Sequence, residues 1–255
     1  MKIAVAGKGG VGKTSISAGL IKIFAGEGPV WAIDADPDAC LAGALGVPEE
    51  EAAALKPFSE MKTVIRERVG GDGGYAVLNP QVDDLLDKYA LVRGNIRLLR
   101  MGTLKKGGAG CYCRENAFLN AIITSVLVGR EEVTVVDLAA GIEQLSRGAA
   151  RGVDVMVVVC NPTRASVSTA RNIVSLAGDL GIEKTGYVGN RVRTAAEREF
   201  IAKACSDRPV LGYIGWYEEL LSEELREDCL AEMPAPFLDD VRKIKQALEK
   251  MGASG

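Results

Sequence analysis

The sequence predicts an α/β protein with a mostly parallel sheet and helices on both faces. First, nearly continuous apolar runs of strand length alternate with longer segments of helical periodicity along the 255 residues. Such runs are typical of parallel strands, which are buried on both faces. Second, a glycine-rich segment joins the first strand to the first helix. Third, neither an internal repeat nor a low-complexity linker divides the chain, so we expect residues 1–255 to form one domain.

The predicted elements follow one another in strand–helix order. The predicted strands are KIAVAG, VWAID, the short segments YAVLN and IRLLRM, then VTVVDL, VDVMVVVC, TGYVGN and VLGYIG. The predicted helices cover residues 13–26, 60–69, 115–128 and 164–180, followed by a terminal helix in PAPFLDDVRKIKQALEKMG. In such sheets ligands bind at the carboxyl ends of the strands, so we expect the functional residues directly after the strands.

The terminal helix has one apolar face, formed by Phe237, Val241, Ile244, Leu248 and Met251. Amphipathic helices usually pack on the core of their own domain, and we favour this interpretation. The alternative is a membrane anchor, which would favour a basic polar face. Here the polar positions mix acidic with basic residues.

Composition limits the partners and the chemistry. The net charge of −3 gives no general attraction to nucleic acid or to an anionic membrane, so we predict neither as a partner. The stretch MKIAVAGKGG is not a signal peptide, and no apolar run is long enough to span a bilayer, so we expect a cytoplasmic protein. The absence of histidine excludes imidazole bases and histidine-bound metal, whereas six cysteines in a reducing compartment predict thiols, metal ligands or redox groups.

The segment GKGGVGKT, Gly7 to Thr14, fits the phosphate-loop pattern G-x-x-x-x-G-K-[ST] between a strand and a helix. Backbone N–H groups and the helix N-terminus would surround the phosphates of a nucleotide. Lys13 is expected to reach the β- and γ-phosphates, and the Thr14 hydroxyl to ligate Mg²⁺. The predicted nucleotide contacts are Gly9, Gly10, Val11, Gly12, Lys13, Thr14 and Ser15.

Two acidic segments complete the predicted site. AIDADPD ends the second strand and places Asp34, Asp36 and Asp38 near the γ-phosphate. Asp34 and Asp38 could hold Mg²⁺ through water or serve as structural caps. VTVVDLAAG ends in Asp137 at the position of a Walker B aspartate, and Gly141 lies where a backbone N–H would sense the γ-phosphate.

The nucleotide base can also be predicted. GTPases recognise guanine with N-K-x-D, whose aspartate accepts two hydrogen bonds from the base. The segment GNRVR places Arg193 where that acceptor would stand, which favours ATP over GTP. Asn190 remains a candidate adenine contact, and Asn161 is a weaker one.

Lys8 is a second lysine inside the phosphate loop. With it, the loop resembles the deviant phosphate loop of the dimerising P-loop ATPases that include MinD, ParA and the nitrogenase iron protein. The resemblance implies that Lys8 crosses a dimer interface to the partner's nucleotide and that Asp36 orients the attacking water. A cation placed against the γ-phosphate only on closure would act as an arginine finger does. The alternative for Lys8 is a solvated surface lysine.

Cys111 and Cys113 form a C-x-C pair in a glycine-rich segment before a predicted helix, with Lys105 and Lys106 close in sequence. The helix N-terminus and the cations favour thiolates. The pair could be incidental, could be redox-active, or could be half of a metal site. Four thiolates make a closed site for a soft or borderline ion, and one chain offers two of them here. A symmetric dimer would supply all four.

The other cysteines have simpler interpretations. Cys40 could be a third thiol near the nucleotide, but we favour a small buried residue on a helix. The three that remain are interpreted as core residues: Cys160, Cys205 and Cys229.

Several segments together resemble the CooC-type maturation factors of carbon monoxide dehydrogenase: the phosphate loop, DPDACL, NPQVDDLLDKY, LRMGTLKKGGAGCYCRENAFLNA and AAGIEQLSRG. The resemblance covers nearly the whole chain and is most specific at the C-x-C pair. It implies an ATP-driven homodimer that binds Ni²⁺, or Zn²⁺ in its place, at Cys111 and Cys113, and that serves a client nickel enzyme. The related accessory ATPases of acetyl-CoA synthase, the MinD/ParA positioning ATPases and iron-protein electron donors remain alternatives.

Overall fold

A computed structural model of the chain describes residues 1–70, 77, 79–102, 112–142, 145–223 and 233–253. The strands in these ranges are β1 (Lys2–Gly7), β2 (Val30–Ala35), β3 (Leu91–Arg93), β4 (Ile96–Arg100), β5 (Val133–Leu138), β6 (Val155–Cys160), β7 (Thr185–Val192) and β8 (Val210–Gly215). These eight described strands form one sheet in the order β3-β4-β2-β5-β1-β6-β7-β8.

Helices connect most of these strands. In the described ranges they are α1 (Lys13–Ala25), α2 (Leu41–Ala44), α3 (Glu49–Ala54), α4 (Lys62–Val69), α5 (Asp83–Tyr89), α6 (Tyr112–Gly129), α7 (Arg147–Ala150), α8 (Arg164–Asp179), α9 (Ala195–Ala204), α10 (Glu218–Glu223) and α11 (Ala235–Ala253). A 3-10 turn at Phe58–Glu60 precedes α4.

The sheet is parallel except for the β3–β4 hairpin at one edge. Every residue of β1, β2 and β6 is buried, as expected for strands covered on both faces. β1 lies between β5 and β6 near the middle of the sheet. The phosphate loop that follows β1 is therefore flanked by the loops that follow its neighbours.

Two apolar cores cover the two faces of the sheet. One contains Ile16 of α1 and Val241 of α11, and the other contains Ile122 of α6 and Ile173 of α8. Each core consists of the apolar side of its helices and of alternate residues of the strands. The predicted fold class is confirmed.

The terminal helix α11 packs on the core, as predicted. Phe237, Val241, Ile244 and Leu248 are all buried. A Cβ placed at Gly19 would lie 3.0 Å from the Phe237 ring, so α1 and α11 are in close contact. Among the helices in the described ranges, none combines the length and the apolar content needed to cross a lipid bilayer.

Some local predictions differ from the structure. YAVLN was predicted as a strand, but its described residues, Val77 and Asn79, belong to no strand. The short strand β3 was missed, because a three-residue strand before the tight turn at Gly94 has no clear alternating pattern. The helix α9 was also missed, although Thr194 and Glu197 form a capping box at its start.

Candidate nucleotide-binding site

The phosphate loop joins β1 to α1 at the carboxyl edge of the sheet. Gly10 and Gly12 have φ angles of +76° and +91°. Glycine adopts this left-handed region without the steric penalty of other residues, and such turns are how successive N–H groups come to face a phosphate. At Gly12 space is limited as well, because a Cβ there would overlap the Asn190 Nδ2 atom. The predicted strand–loop–helix arrangement is confirmed.

Asp137 is fully buried in β5 and accepts hydrogen bonds from two hydroxyls of α1. The Thr14 hydroxyl donates to Oδ2 at 2.7 Å and the Ser17 hydroxyl donates to Oδ1 at 3.0 Å. Burial raises the pKa of Asp137 from 3.8 to about 6, whereas the two hydroxyls and the Lys13 charge act in the opposite direction. The structure thus brings Thr14 and the predicted Walker B aspartate together. It adds Ser17, which the i, i+3 spacing from Thr14 could have indicated.

Asp34 lies beside Asp137 in the register of β2 and β5. Its carboxylate is buried, with Oδ1 accepting the Asp36 N–H at 3.2 Å and Oδ2 accepting the Leu41 N–H at 3.0 Å. Burial, with the Asp137 charge adding to it, raises the pKa of Asp34 from 3.8 to about 7, against the lowering effect of the two backbone hydrogen bonds. Asp34 therefore fixes the backbone that carries the neighbouring carboxylates.

Asp36 begins the turn after β2. The Asp38 N–H donates to its Oδ1 at 3.1 Å, and the Ala39 N–H donates to its carbonyl oxygen at 3.0 Å. The Asp36 charge contributes to the raised pKa of Asp137, so the two carboxylates lie within electrostatic reach. Asp38 is exposed and does not cap α2, whose start has no side-chain cap. The water-orienting role of Asp36 stays a prediction.

The two lysines of the loop differ in exposure. Lys13 is buried at the first position of α1, where its charge acts on Asp137. Lys8 is exposed. A buried ammonium at a helix N-terminus suits a fixed phosphate contact, whereas an exposed one is accessible to a second molecule. The trans role of Lys8 stays a prediction.

The segment after β5 lies against the phosphate loop. A Cβ placed at Gly9 would be 3.9 Å from the Ala140 Cβ. The Gly141 N–H donates to the Ala139 carbonyl at 2.7 Å, and Gly141 has a φ of +137°. A backbone N–H at Gly141 was expected to contact the γ-phosphate, and that role stays a prediction.

Asn190 supports the phosphate loop from β7. Its Nδ2 donates to the Val11 carbonyl at 2.7 Å, and its Oδ1 accepts the Arg191 N–H at 2.9 Å. The sequence did not predict this supporting role. The adenine contact predicted for Asn190 stays a prediction, as does that of Asn161, whose buried Oδ1 has no hydrogen-bond partner in the described part of the chain.

The structure describes only some of the cysteines. Cys111 and Cys229 lie outside the described residues, and so does the side chain of Cys113. The prediction that Cys40 is buried on a helix was wrong, because it is exposed and immediately precedes α2. The short turn from Asp36 leaves it on the surface. Cys160 and Cys205 are buried, as predicted.

The chemistry of the site fits Mg²⁺ with a nucleotide. Thr14 and Asp137 offer hard oxygen ligands beside the phosphate loop, which Mg²⁺ prefers. For a soft metal, the described residues contain no group of three or more histidine, cysteine or acidic side chains that could hold an ion.

Residues 2–230 match the family described as the CobQ/CobB/MinD/ParA nucleotide binding domain. The chain belongs to this family. Together with the assembled phosphate loop, this makes the chain a P-loop ATPase.

Curated relatives cover most of the chain. Carbon monoxide dehydrogenase accessory protein CooC of Rhodospirillum rubrum is 42% identical over 84% of this chain and 83% of its own length. The uncharacterized ATP-binding protein MJ0823 of Methanocaldococcus jannaschii is 39% identical over 88% of each.

Solved structures share the fold. MinD cell division protein of Aquifex aeolicus has a TM-score of 0.66 at 20% identity, covering 98% of this chain and 96% of its own. A ParA family ATPase of Chlorobium tepidum has a TM-score of 0.65 at 16% identity and covers 97% of each chain. At these identities the likeness establishes the fold alone.

Proposed function

We propose that this ATPase is a maturation factor for a nickel enzyme, with carbon monoxide dehydrogenase as the client. It would dimerise around two ATP–Mg²⁺ and one Ni²⁺ or Zn²⁺ ion. The name of the relative at 42% identity supports the client. The observation that carries the proposal is that the chain directly after β4 is hydrogen-bonded to Asp34. The Met101 N–H, directly after this strand, donates to the Asp34 carbonyl at 2.8 Å, so Met101, ten residues before Cys111 in the sequence, lies beside the nucleotide site.

In this proposal each residue of the ATP site has one task. Lys13 and the loop N–H groups hold the phosphates, and Asp36 orients the attacking water. Thr14 and Asp137 would hold Mg²⁺, which supplies positive charge to the phosphate oxygens. Lys8 would stabilise the γ-phosphate of the partner subunit's nucleotide when the dimer closes. The exposure of Lys8 supports this assignment.

The metal would lie between subunits. Each chain contributes the thiolates of Cys111 and Cys113, and a two-fold axis supplies the second pair. Closure with ATP would bring the four sulfurs together, and hydrolysis would release the ion to the client. Because coupling between sites is reciprocal, metal should favour the same dimer that ATP favours. A cytoplasmic location belongs to the proposal, since the cysteines have to remain reduced.

Three alternatives lead to different outcomes. An accessory ATPase for acetyl-CoA synthase would have the same site and a different client. A positioning ATPase of the MinD/ParA kind would be stimulated by DNA or by liposomes and would need no metal. An electron donor of the iron-protein kind would contain a [4Fe–4S] cluster, which absorbs visible light and is detected as iron in the purified dimer.

The test measures metal content and oligomeric state after anaerobic purification. The chain, the Cys111→Ser/Cys113→Ser variant and a Cys40→Ser control are each loaded with Ni²⁺ or Zn²⁺ and run on size exclusion with ATP or ADP. We expect one ion per dimer in the chain and in the control, and none in the double variant. Because Cys40 is an exposed thiol, the control separates specific binding from binding to any accessible cysteine. One ion per dimer in the double variant would contradict the metal assignment.

A further inference from the structure

A groove of about 720 Å³ lies between α8 and α9, and the residues that line it belong to the described part of the chain. Its apolar floor is formed by Val167 and Val174 of α8 and by Phe200 of α9. The two valines are buried, and Phe200 is half-buried against the same core. The groove therefore has a firmly packed floor, and its volume is in the range of sites that hold a few side chains or a small molecule.

The groove is positively charged. Arg164, Arg171 and Arg208 line it, and among its described lining residues Asp207 is the one carboxylate. The groove thus has two more positive than negative groups, in a chain whose net charge is −3. Such a local excess attracts an anionic ligand even though the whole molecule does not.

Two of these arginines are available to a partner. Arg208 is held by its own chain, since its Nε donates to the Thr185 Oγ1 at 3.0 Å and its Nη1 donates to the Asp207 carbonyl at 3.1 Å. Arg164 and Arg171 are exposed, and neither forms an ion pair with any residue that the structure describes. A guanidinium of this kind can bind a carboxylate through two parallel hydrogen bonds.

The side of α8 that borders the groove has a regular spacing. Arg164, Ser168, Arg171 and Ser175 follow one another at intervals of four, three and four residues, so they form one stripe along the helix. Arg164 and Arg171 are about 10 Å apart along the helix axis, given a rise of about 1.5 Å per residue. Leu176, at the edge of this stripe, is 49% exposed. A ligand in the groove would therefore meet two cations, with hydroxyls between them and an apolar side chain next to them.

These features fit an acidic segment of a protein better than a nucleic acid. Surface charges act over about 8 Å at physiological ionic strength, so a short segment in the groove responds mainly to the groove itself. A nucleic acid would extend beyond it over a chain of net charge −3, and Asp207 would repel its phosphates. Its bases would also need exposed aromatic rings for stacking, whereas the Phe200 ring packs against the core.

One end of the groove lies beside the nucleotide site. α8 follows the loop after β6, in which the Asn161 N–H donates to the Ser166 Oγ at 2.9 Å. β6 pairs with β1, and a Cβ placed at Gly7 would lie 2.6 Å from the Val159 carbonyl oxygen. Arg164, the first residue of α8, is therefore at the same edge of the sheet as the phosphate loop.

We propose that the groove between α8 and α9 is a docking site for an acidic segment of a partner protein. Arg164 and Arg171 bind carboxylates of that segment, and Phe200 and Leu176 contact an apolar residue next to them. The partner is thereby held beside the ATPase site. This inference goes beyond the proposed function and does not depend on the metal assignment.

The test measures, by fluorescence anisotropy, how the full chain binds a fluorescein-labelled peptide of glutamate and leucine residues. A peptide with glutamine in place of glutamate is the neutral control. The Arg164→Gln/Arg171→Gln variant should bind the acidic peptide about 5–30-fold more weakly, which is the range expected for the loss of two exposed ion pairs. The matched variant Arg147→Gln/Arg151→Gln removes two exposed arginines outside the groove and should bind the peptide as the chain does.

Ser168→Glu tests the same groove without removing an arginine. Its carboxylate would lie between Arg164 and Arg171 and compete with the peptide, so affinity for the acidic peptide should fall here as well. Glutamate is a better helix former than serine, and an unchanged melting temperature would verify that the variant is folded.

Three results would overturn the inference. The first is that the chain does not bind the acidic peptide, or binds the neutral peptide equally well. The second is that the two double variants bind the acidic peptide with the same affinity, because the attraction would then be a general effect of charge. The third is that the chain binds labelled single-stranded DNA but not the peptide and that the Arg164→Gln/Arg171→Gln variant loses this binding, which would indicate a nucleic-acid partner.

Discussion

Replacing Gly12 by alanine tests the geometry of the phosphate loop directly. Two costs add at this position. Alanine in the left-handed region costs about 1–2 kcal/mol. Its Cβ would also displace the Asn190 amide and break the 2.7 Å hydrogen bond to the Val11 carbonyl, leaving buried polar groups unpaired. This second loss costs about 1–3 kcal/mol. The total is therefore about 2–5 kcal/mol, from which we expect a clear loss of both stability and nucleotide affinity.

Gly10→Ala is the matched control. Gly10 has a similar φ of +76°, but a Cβ there meets no atom within 4 Å. It should therefore lose only the conformational part, about 1–2 kcal/mol. Thermal unfolding of the nucleotide-free protein measures the difference, at about 2–4 °C per kcal/mol for a chain of this size. Calorimetric titration with ADP measures the effect on binding.

Asn190→Ala completes the cycle. In the Asn190→Ala background the overlap is absent, so Gly12→Ala should cost no more than Gly10→Ala does. The effects of the two substitutions should therefore not add, as is usual for residues in contact. Equal losses for Gly12→Ala and Gly10→Ala, or strict additivity of Gly12→Ala with Asn190→Ala, would refute the role given to Asn190.

Further predictions concern the carboxylates and thiols. Ser17→Ala removes one donor to buried Asp137 and should lower stability by about 1.5–3 kcal/mol in denaturant titrations, whereas Ser15→Ala, at a half-buried hydroxyl, should not. Burial raises the pKa of Asp34 to about 7 and of Asp137 to about 6, so their contribution to stability is complete below the ordinary value of 3.8 and is lost as pH rises through 6 and 7. The melting temperature without nucleotide should therefore fall between pH 5 and pH 8, less so in Asp34→Asn, and an unchanged slope in that variant would contradict the assignment. In a Cys111→Ser/Cys113→Ser/Cys229→Ser variant, exposed Cys40 should be alkylated before buried Cys160 and Cys205, as mass spectrometry can verify. The reaction at Cys40 should be slow near neutral pH, because partial burial and the neighbouring carboxylates raise its pKa. Asp36→Ala should abolish ATP hydrolysis and retain ATP binding, and undiminished turnover would remove Asp36 from its role.

Much of the fold could be predicted because its signals are local. Strands such as β1 and β6 are nearly continuous apolar runs, and α11 repeats its apolar residues with helical spacing. The elements that were missed depend on less local information. β3 has three residues and forms only because β4 pairs with it, so no pattern inside its own sequence identifies it.

Some features of the candidate site could likewise be identified from the sequence, and others could not. The spacing of Gly7, Lys13 and Thr14 is a contiguous motif, and Asp137 follows an apolar strand, so both could be identified from the sequence. The support of the loop by Asn190 joins residues 179 positions apart, and no local signal reports such a contact. The burial of Cys40 was predicted wrongly for the same reason, since exposure depends on the path of the turn after Asp36.

The sequence by itself determined the class of the fold, the phosphate loop and the residue types that surround it, because these follow from periodicity and from contiguous spacing. The tertiary structure alone decided which distant groups meet. It placed Asp34 beside Asp137 through the register of two strands, and it seated Gly102 against Ser59. The physical reason is that sheet register and side-chain packing are set by all the strands together, so the distance between two remote residues is a property of the whole core.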